Sequence, residues 1–170
     1  HASGIACEAE LGAVLGHESG PLPPYDELFK SGQGFTRVAE ARRFVRESGC
    51  DWLSVAIGNI HGAVSQAARD NKKVEARLDL EHLGRLREAT DIPLVLHGGS
   101  GVCREDVRAG IKRGLAKVNV GTEIRQAYEV ALKASGVVAV AQQAVYARTA
   151  GLIRDYFGIQ GLRAALMGNT

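Results

Sequence analysis

Two histidines, each followed by glycine, stand where predicted buried strands end. His61-Gly62 follows the apolar run of residues 52–57, and His97-Gly98 follows the apolar run of residues 92–96. Because parallel strands bring their C-terminal ends to one edge of a sheet, we expect both imidazoles to point into the same mouth. Two neutral imidazoles that converge there suit zinc or a similar cation. The alternative is a pair of unrelated histidines that cap their strands.

The first predicted strand carries two carboxylates. Its residues alternate, so that Glu8 and Glu10 share one face and the opposite face carries Ile5, Cys7 and Ala9. Two carboxylates on one strand face need water, a cation or a partner side chain. Glu10 lies on the side of the mouth, where it either joins the cation or forms a salt bridge with a neighbouring lysine or arginine.

The glycine-rich turn after the third predicted strand is suited to an anion. Gly98 and Gly99 let backbone N–H groups approach a phosphate closely, and Ser100 adds a hydroxyl. The alternative is a tight strand–helix turn beside a buried, hydrogen-bonded histidine.

A further polar group follows the fourth predicted strand. Asn119 lies near the end of that strand, where its amide needs a hydrogen-bond partner. Thr122 is suited to N-cap the following helix. Small polar groups at this position would also complete a phosphate pocket, which (β/α) barrels typically form after strands seven and eight.

Other titratable residues are assigned to structure or solvent. His82 stands among acidic and basic residues on a predicted helix, and we expect it on a solvated face. Three cysteines at wide spacings, without a CxxC pair, argue against a disulfide framework and favour a reducing cytosol. His1 and His17 are likewise given no functional role. Lys72 and Lys73 are expected to face solvent, and the alternative is a loop lysine over a phosphate.

Strand and helix patterns alternate along the chain. Strands are predicted at residues 5–11, 52–57, 92–96 and 116–120, and helices at Val38–Ser48, around residues 80–86, 107–111 and 124–131, and over 137–157. This alternation predicts an α/β fold with a parallel sheet and helical crossovers, in a single domain over residues 1–170. Residues 16–34, rich in proline and glycine, and the polar residues 63–77 are predicted to be loops.

Composition excludes several classes of protein. The 170 residues are 45% hydrophobic and 24% charged, as in a soluble globular protein. A net charge of +2 gives no basic excess that would attract nucleic acid or an anionic membrane. The sequence has no run of about 18 apolar residues, so a transmembrane helix is not expected. The acidic start is unlike a signal peptide, and the missing initiator methionine indicates a processed, trimmed or incomplete chain. The expected location is the cytoplasm.

Four motifs occur in order, each at the end of a predicted strand. They are Glu8-Ala9-Glu10-Leu11-Gly12, Gly58-Asn59-Ile60-His61-Gly62, Leu96-His97-Gly98-Gly99-Ser100-Gly101 and Asn119-Val120-Gly121-Thr122-Glu123. Together they resemble the class II, zinc-dependent fructose-bisphosphate/tagatose-bisphosphate aldolase family over nearly the whole chain. The resemblance implies a (β/α)8 (TIM) barrel, of which this chain covers about the last four βα units plus a C-terminal helix. It also implies reversible cleavage of a ketose bisphosphate to dihydroxyacetone phosphate and an aldehyde.

The resemblance further implies roles for individual residues. His61 and His97 would be two of three zinc ligands, and Glu10 would be the carboxylate that holds the metal at a second position. The resemblance leaves open whether a second cation, divalent or monovalent, binds in addition to zinc. The phosphorylated ketose would be held by Gly62, Gly98, Gly99, Ser100, Asn119, Val120, Gly121 and Thr122, of which Val120 and Gly121 lend backbone groups.

The chain also departs from the family pattern. The front half of the barrel is absent, and with it the third zinc-ligating histidine and the aspartate that serves as acid and base, so the catalytic residues stay unassigned. Gly121 replaces the family's second asparagine, and no lysine follows His61-Gly62 closely. We therefore expect little or no aldolase activity from this chain alone. The alternatives are a half-barrel that assembles with itself or with a separate front half, and a zinc-free sugar-phosphate binder.

Overall fold

The computed structural model describes residues 2–15, 23–60 and 75–168. The chain folds as two compact units, His1–Val120 and Gly121–Thr170, and each is described by itself. The single domain expected over residues 1–170 stays a prediction.

The first unit contains a four-stranded parallel sheet. Its strands lie in the order β1 (Glu8–Leu11), β2 (Trp52–Val55), β3 (Leu94–Leu96) and β4 (Leu115–Val118). The α/β fold with a parallel sheet is therefore confirmed. Within the described residues β1 and β4 are the sheet's two edges, and the sheet does not close on itself.

Helices connect these strands and a second set forms the other unit. The first unit has α1 (Tyr25–Ser31), α2 (Val38–Ser48), α3 (Leu80–Thr90) and α4 (Arg104–Lys112). The second unit has α5 (Thr122–Ser135), α6 (Val138–Gly151), a π-helix (Leu152–Phe157) and α7 (Leu162–Met167). No helix in the described ranges is both long and apolar enough to span a bilayer.

One face of the sheet forms the core of the first unit. The register pairs Leu53 with Leu94, so Leu53 and Val55 share a face with Leu94 and Leu96. All four are fully buried, as are Leu83 and Leu86 of α3 and Val107 of α4. This apolar face fixes the strands and leaves the opposite face for polar side chains.

Helix α1 corrects the prediction of a loop over residues 16–34. Pro23 and Pro24 precede the helix instead of breaking it, because proline is tolerated where a helix begins. Asp26 and Glu27 in the first turn complement the helix dipole, and Gly32, at φ 65°, ends the helix in the left-handed region. Residues 16–22 of the predicted loop, and 63–74 of the second one, lie outside the described residues.

The first strand is shorter than predicted. Residues 5–7 precede β1, and Ile5 is 71% exposed instead of lying on a covered face. The Cys7 N–H donates to Asp51 and its carbonyl accepts from the Asp51 N–H, so this segment is held by the turn before β2.

The second unit differs from its prediction at three places. The continuous helix expected over residues 137–157 changes to a π-helix at Leu152, and α7 was not expected. Thr122 is the first residue of α5 and not its N-cap, which is Gly121. Helices α5 and α6 pack together, and Arg148 of α6 pairs with Glu123 of α5.

Candidate active site

The polar face of the sheet gathers the candidate residues of the first unit. Register pairs Glu10 with Ser54, Ser54 with Val95, and Val95 with Lys117, so these four side chains form one row across the sheet. Glu8 lies two residues before Glu10 on the same face. His97 directly follows β3 and extends over this row.

The imidazole of His97 joins both carboxylates of β1. Its Nδ1 lies 2.5 Å from Glu10 Oε2, and its Nε2 lies 2.9 Å from Glu8 Oε1. Both ring nitrogens therefore lie within hydrogen-bond distance of a carboxylate oxygen. The ring therefore spans from β3 to β1, and Glu8 and Glu10 share a face as their alternation predicts. Glu10 therefore pairs with a histidine. The salt-bridge alternative had expected a lysine or an arginine as its partner.

A lysine that the sequence did not mark as a candidate completes the cluster. Lys117 Nζ donates to Glu8 Oε2 at 2.7 Å and lies 5.8 Å from the centre of the Trp52 ring. Burial raises the pKa of the Glu8 carboxyl, but hydrogen bonds and positive charge from Lys117 and His97 outweigh it, so the pKa lies below its ordinary value. The sequence did carry a signal for Lys117. It is a lysine within an otherwise apolar strand, two residues before Asn119 and therefore on the same face.

Asn59 ties the ends of β2 and β3 together. Its side chain is buried, accepts from the Ile57 N–H at 2.9 Å, and donates to the backbone carbonyl of His97 at 2.8 Å. The amide thus fixes the backbone from which the His97 ring projects. In the sequence Asn59 stands out only as part of a motif, although a buried amide there needs hydrogen-bond partners just as Asn119 does.

The glycine-rich turn packs tightly against the end of β4. A Cβ atom on Gly99 would lie 2.6 Å from Val118 Cγ1, so the approach requires glycine. The Gly99 N–H donates to the Asn119 carbonyl at 3.0 Å and is therefore committed within the protein. Ser100 is buried beside it. If this turn holds a phosphate, the donors must be groups other than the Gly99 N–H.

Of the remaining predicted site residues, two are not described and four follow β4. His61 and Gly62 lie outside the described residues. Asn119 and Val120 follow β4 and are half-buried, whereas Gly121 and Thr122 belong to the second unit.

The donor set at His97 fits a metal in part. Imidazole nitrogen and carboxylate oxygen are zinc donors, and Nδ1 of His97 and Oε2 of Glu10 are neighbours. Glu8 and Glu10 meet opposite edges of the ring, and over residues 2–15, 23–60 and 75–168 no three His, Cys, Asp or Glu side chains form a metal site. His97 and Glu10 therefore supply two donors, and a complete site requires others.

His82 corrects the prediction of a solvated histidine. Its ring is half-buried, with Nε2 at 2.7 Å from the Thr36 carbonyl and its centre 5.8 Å from that of the Phe35 ring. Arg85 donates to Nδ1 at 3.2 Å, so Nε2 carries the proton that bonds Thr36. His82 thus joins α3 to the segment before α2 and has a structural role.

Tyr25 of α1 links the two ends of the segment from Gly58 to Arg77, which follows β2. Its hydroxyl lies 3.0 Å from the Gly58 carbonyl and 3.1 Å from the Arg77 carbonyl, and it accepts from the Arg77 N–H at 2.6 Å. Burial raises the pKa of this phenol, and the charge of Asp106 adds to the effect against the opposing influence of Arg77. The Tyr25 hydroxyl therefore holds Gly58 and Arg77 close together.

Comparisons with known proteins show which sequences this chain is similar to. The chain matches the family model named class-II fructose-bisphosphate aldolase over residues 1–159. An uncharacterized Escherichia coli K12 protein, YdjI, is 42% identical over 133 residues, which are 78% of this chain and 43% of YdjI.

Solved structures give the same result at the level of fold. The crystal structure of the YdjI aldolase from Escherichia coli K12 has a TM-score of 0.70 at 33% identity, covering 95% of this chain and 52% of that one. A fructose-bisphosphate aldolase from Campylobacter jejuni shares the fold with a TM-score of 0.63 at 17% identity, covering 93% and 52%. The chain spans about half the length of the proteins it matches.

The fold first places the chain in a class of protein. It is an α/β protein whose parallel sheet gathers an imidazole and two carboxylates on one face, and aldolases are among its structural neighbours. The match over residues 1–159 then identifies the family: this chain belongs to the class II fructose-bisphosphate aldolases.

Proposed function

We propose that this chain carries metal-binding and substrate-binding parts of a zinc-dependent aldolase, which cleaves fructose or tagatose bisphosphate reversibly to dihydroxyacetone phosphate and an aldehyde. The observation that carries the proposal is the contact of His97 with Glu10 on the polar face of the sheet. His97, His61 and Glu10 would hold the zinc. Bound zinc would supply Lewis-acid polarisation of the substrate carbonyl.

The chain's own residues bind and orient the substrate. The turn at Gly98, Gly99 and Ser100 and the segment after β4 lie next to His97, and they would hold the phosphorylated end of the ketose. Asn59 would keep the His97 backbone in place while substrate enters. The proposed substrate-binding set also includes Gly62, Asn119, Val120, Gly121 and Thr122.

The proposed whole is a (β/α)8 barrel to which this chain contributes four βα units. An aspartate that moves the proton during cleavage would come from the remaining units. Three free thiols, Cys7, Cys50 and Cys103, are consistent with a reducing cytoplasm as the location.

Zinc titration of the purified chain tests the proposal. We expect the chain to bind zinc by isothermal titration calorimetry and His97→Asn to lose that binding, because it removes a ligand. Glu47→Gln, on the exposed face of α2, is the control and should bind as the parent does. Cleavage of fructose and tagatose bisphosphate should be undetectable in a coupled assay. Equal zinc binding by the parent chain and His97→Asn, or zinc-dependent cleavage by this chain alone, would contradict these assignments.

A further inference from the structure

The two outer strands of the parallel sheet carry side chains of opposite charge. β1 places Glu8 and Glu10 on the polar face of the sheet, and β4 places Lys117 on the same face. We propose that two copies of this chain pair β4 of each copy with β1 of the other and so close one eight-stranded barrel. This inference rests on the barrel architecture of the proposed function and is independent of its metal and substrate assignments.

Contacts across the sheet indicate that it curls toward its polar face. β1 and β4 are three strand spacings of about 4.8 Å apart, so their axes would lie roughly 14 Å apart in a flat sheet. Side chains of a flat sheet also stand side by side, yet Lys117 Nζ lies 2.7 Å from Glu8 Oε2, and His97 reaches both carboxylates of β1 from the end of β3. A barrel whose interior is just filled by side chains has about eight strands. Four strands curled in this way therefore make half of such a barrel.

Both outer strands offer groups that a further strand can pair with. Within the described residues β1 and β4 each have one strand neighbour, and each strand is four residues long. The Glu10 side chain is 42% exposed and that of Lys117 is 43% exposed. Ile5, just before β1, is exposed, and α4, which packs on β4, exposes Ile111. Each edge thus combines a strand with one neighbour, a partly exposed charge and an exposed apolar side chain, as expected of a surface that binds another strand.

Charge decides which of these edges can pair. Opposite charges on neighbouring strands stabilise a sheet, and like charges destabilise it. Pairing β1 with β1 of a second copy would bring the carboxylates of both copies together, and pairing β4 with β4 would bring two Lys117 side chains together. Pairing β4 with β1 instead places Lys117 beside the carboxylates of Glu8 and Glu10 of the second copy. The ammonium group can serve both copies, because it has three N–H donors and its bond to Glu8 of its own chain uses one.

Symmetry sets the size of the assembly. A two-fold axis along the barrel makes the β4–β1 contact twice and leaves neither outer strand without a second neighbour, so association stops at two chains. The polar faces of both copies then line one interior. The second copy therefore encloses the cluster of Glu8, Glu10, His97 and Lys117 from the opposite side.

Reversal of charge across the β4–β1 contact tests the proposal. The variants are Glu10→Lys, Lys117→Glu and the control Glu47→Lys, which reverses a charge on the exposed face of α2. Each variant is studied alone, and Glu10→Lys is also mixed with Lys117→Glu in equal amounts. Sedimentation velocity over a range of concentrations gives the mass and the dimerisation constant, and circular dichroism reports whether each variant is folded.

We expect the parent chain and Glu47→Lys to reach the mass of two chains and to grow no further. Glu10→Lys and Lys117→Glu should each dimerise about tenfold more weakly, because each replaces an attraction by a repulsion at both β4–β1 contacts. Their mixture should dimerise more tightly than either variant alone, because opposite charges then face each other again.

The mass of the parent chain decides the closed pair even if a variant fails to fold. A single-chain mass at all concentrations, or growth beyond two chains, would overturn it. Equal dimerisation of the two folded variants, their mixture and the control would overturn the pairing of β4 with β1. The zinc titration is a separate measurement, so the proposed function stands or fails independently of these outcomes.

Discussion

At the scale of single residues, His97 shows how much of the site depends on contacts remote in sequence. The sequence predicted that His97 and Glu10 meet at one mouth, because both end parallel strands. It did not predict that Glu8 would bind the other nitrogen, or that Lys117 would bind Glu8. Those contacts depend on strand register and on the direction of the His97 ring, which a pattern of residue types does not contain.

The lowered pKa of Glu8 predicts a dependence of stability on pH. A carboxyl whose folded pKa lies below its ordinary value, here 4.5, stabilises the fold above that value, and the contribution is lost as pH falls through the folded pKa. The contacting charged groups are His97 and Lys117. Because the carboxylate is partly exposed, we expect a contribution of about 1 kcal/mol or less.

Urea unfolding of the parent chain and Glu8→Gln from pH 6 to pH 3 measures this contribution. The parent should be the more stable protein at pH 6, and the difference should shrink below pH 4.5. Glu47→Gln should track the parent at each pH. A difference between the parent and Glu8→Gln that stays constant across this range would show that the interaction is not electrostatic.

At the scale of elements, the strands were predicted better than the segments between them. A run such as Leu94–Leu96 is apolar throughout because both of its faces are covered, so it stands out in the sequence. Helix α1 did not stand out, because its seven residues are flanked by prolines and glycines and bury only Leu28. Its importance comes from Tyr25, whose partners lie 33 and 52 residues away.

Tyr25→Phe should therefore weaken the first unit. The change removes hydrogen bonds to Gly58 and Arg77 and leaves the Arg77 N–H without its acceptor, which should cost about 1–2 kcal/mol. Urea unfolding measures the loss, and hydrogen exchange at the Arg77 amide should become faster. Tyr146→Phe is the matched control, because that side chain is 69% exposed on α6. Equal stability of the two variants would show that the Tyr25 hydroxyl contributes nothing.

At the scale of the whole molecule, the sheet has unpaired edges within the described residues. β1 and β4 each lack a second neighbour within the described residues, and Trp52 is 39% exposed. Strand edges with free N–H and C=O groups pair readily with other strands. We therefore propose that this chain associates with itself or with a further set of βα units.

Light scattering coupled to size-exclusion chromatography over a range of concentrations measures this association. We expect a mass above that of one chain, which rises with concentration when the chain is alone. A single-chain mass at all concentrations, with full secondary structure by circular dichroism, would contradict the proposal.

The link that Tyr25 makes between Gly58 and Arg77 has a consequence for the length of the chain between them. Gly58 and Arg77 are so close that a Cβ on Gly58 would lie 2.5 Å from the Arg77 carbonyl oxygen. Chain inserted between two such anchors costs little, since each doubling of a flexible loop adds only about 0.6 kcal/mol. A change of chain length between Gly58 and Arg77 should therefore cost the adjoining strand and helix little, because the Tyr25 hydroxyl keeps the two positions together.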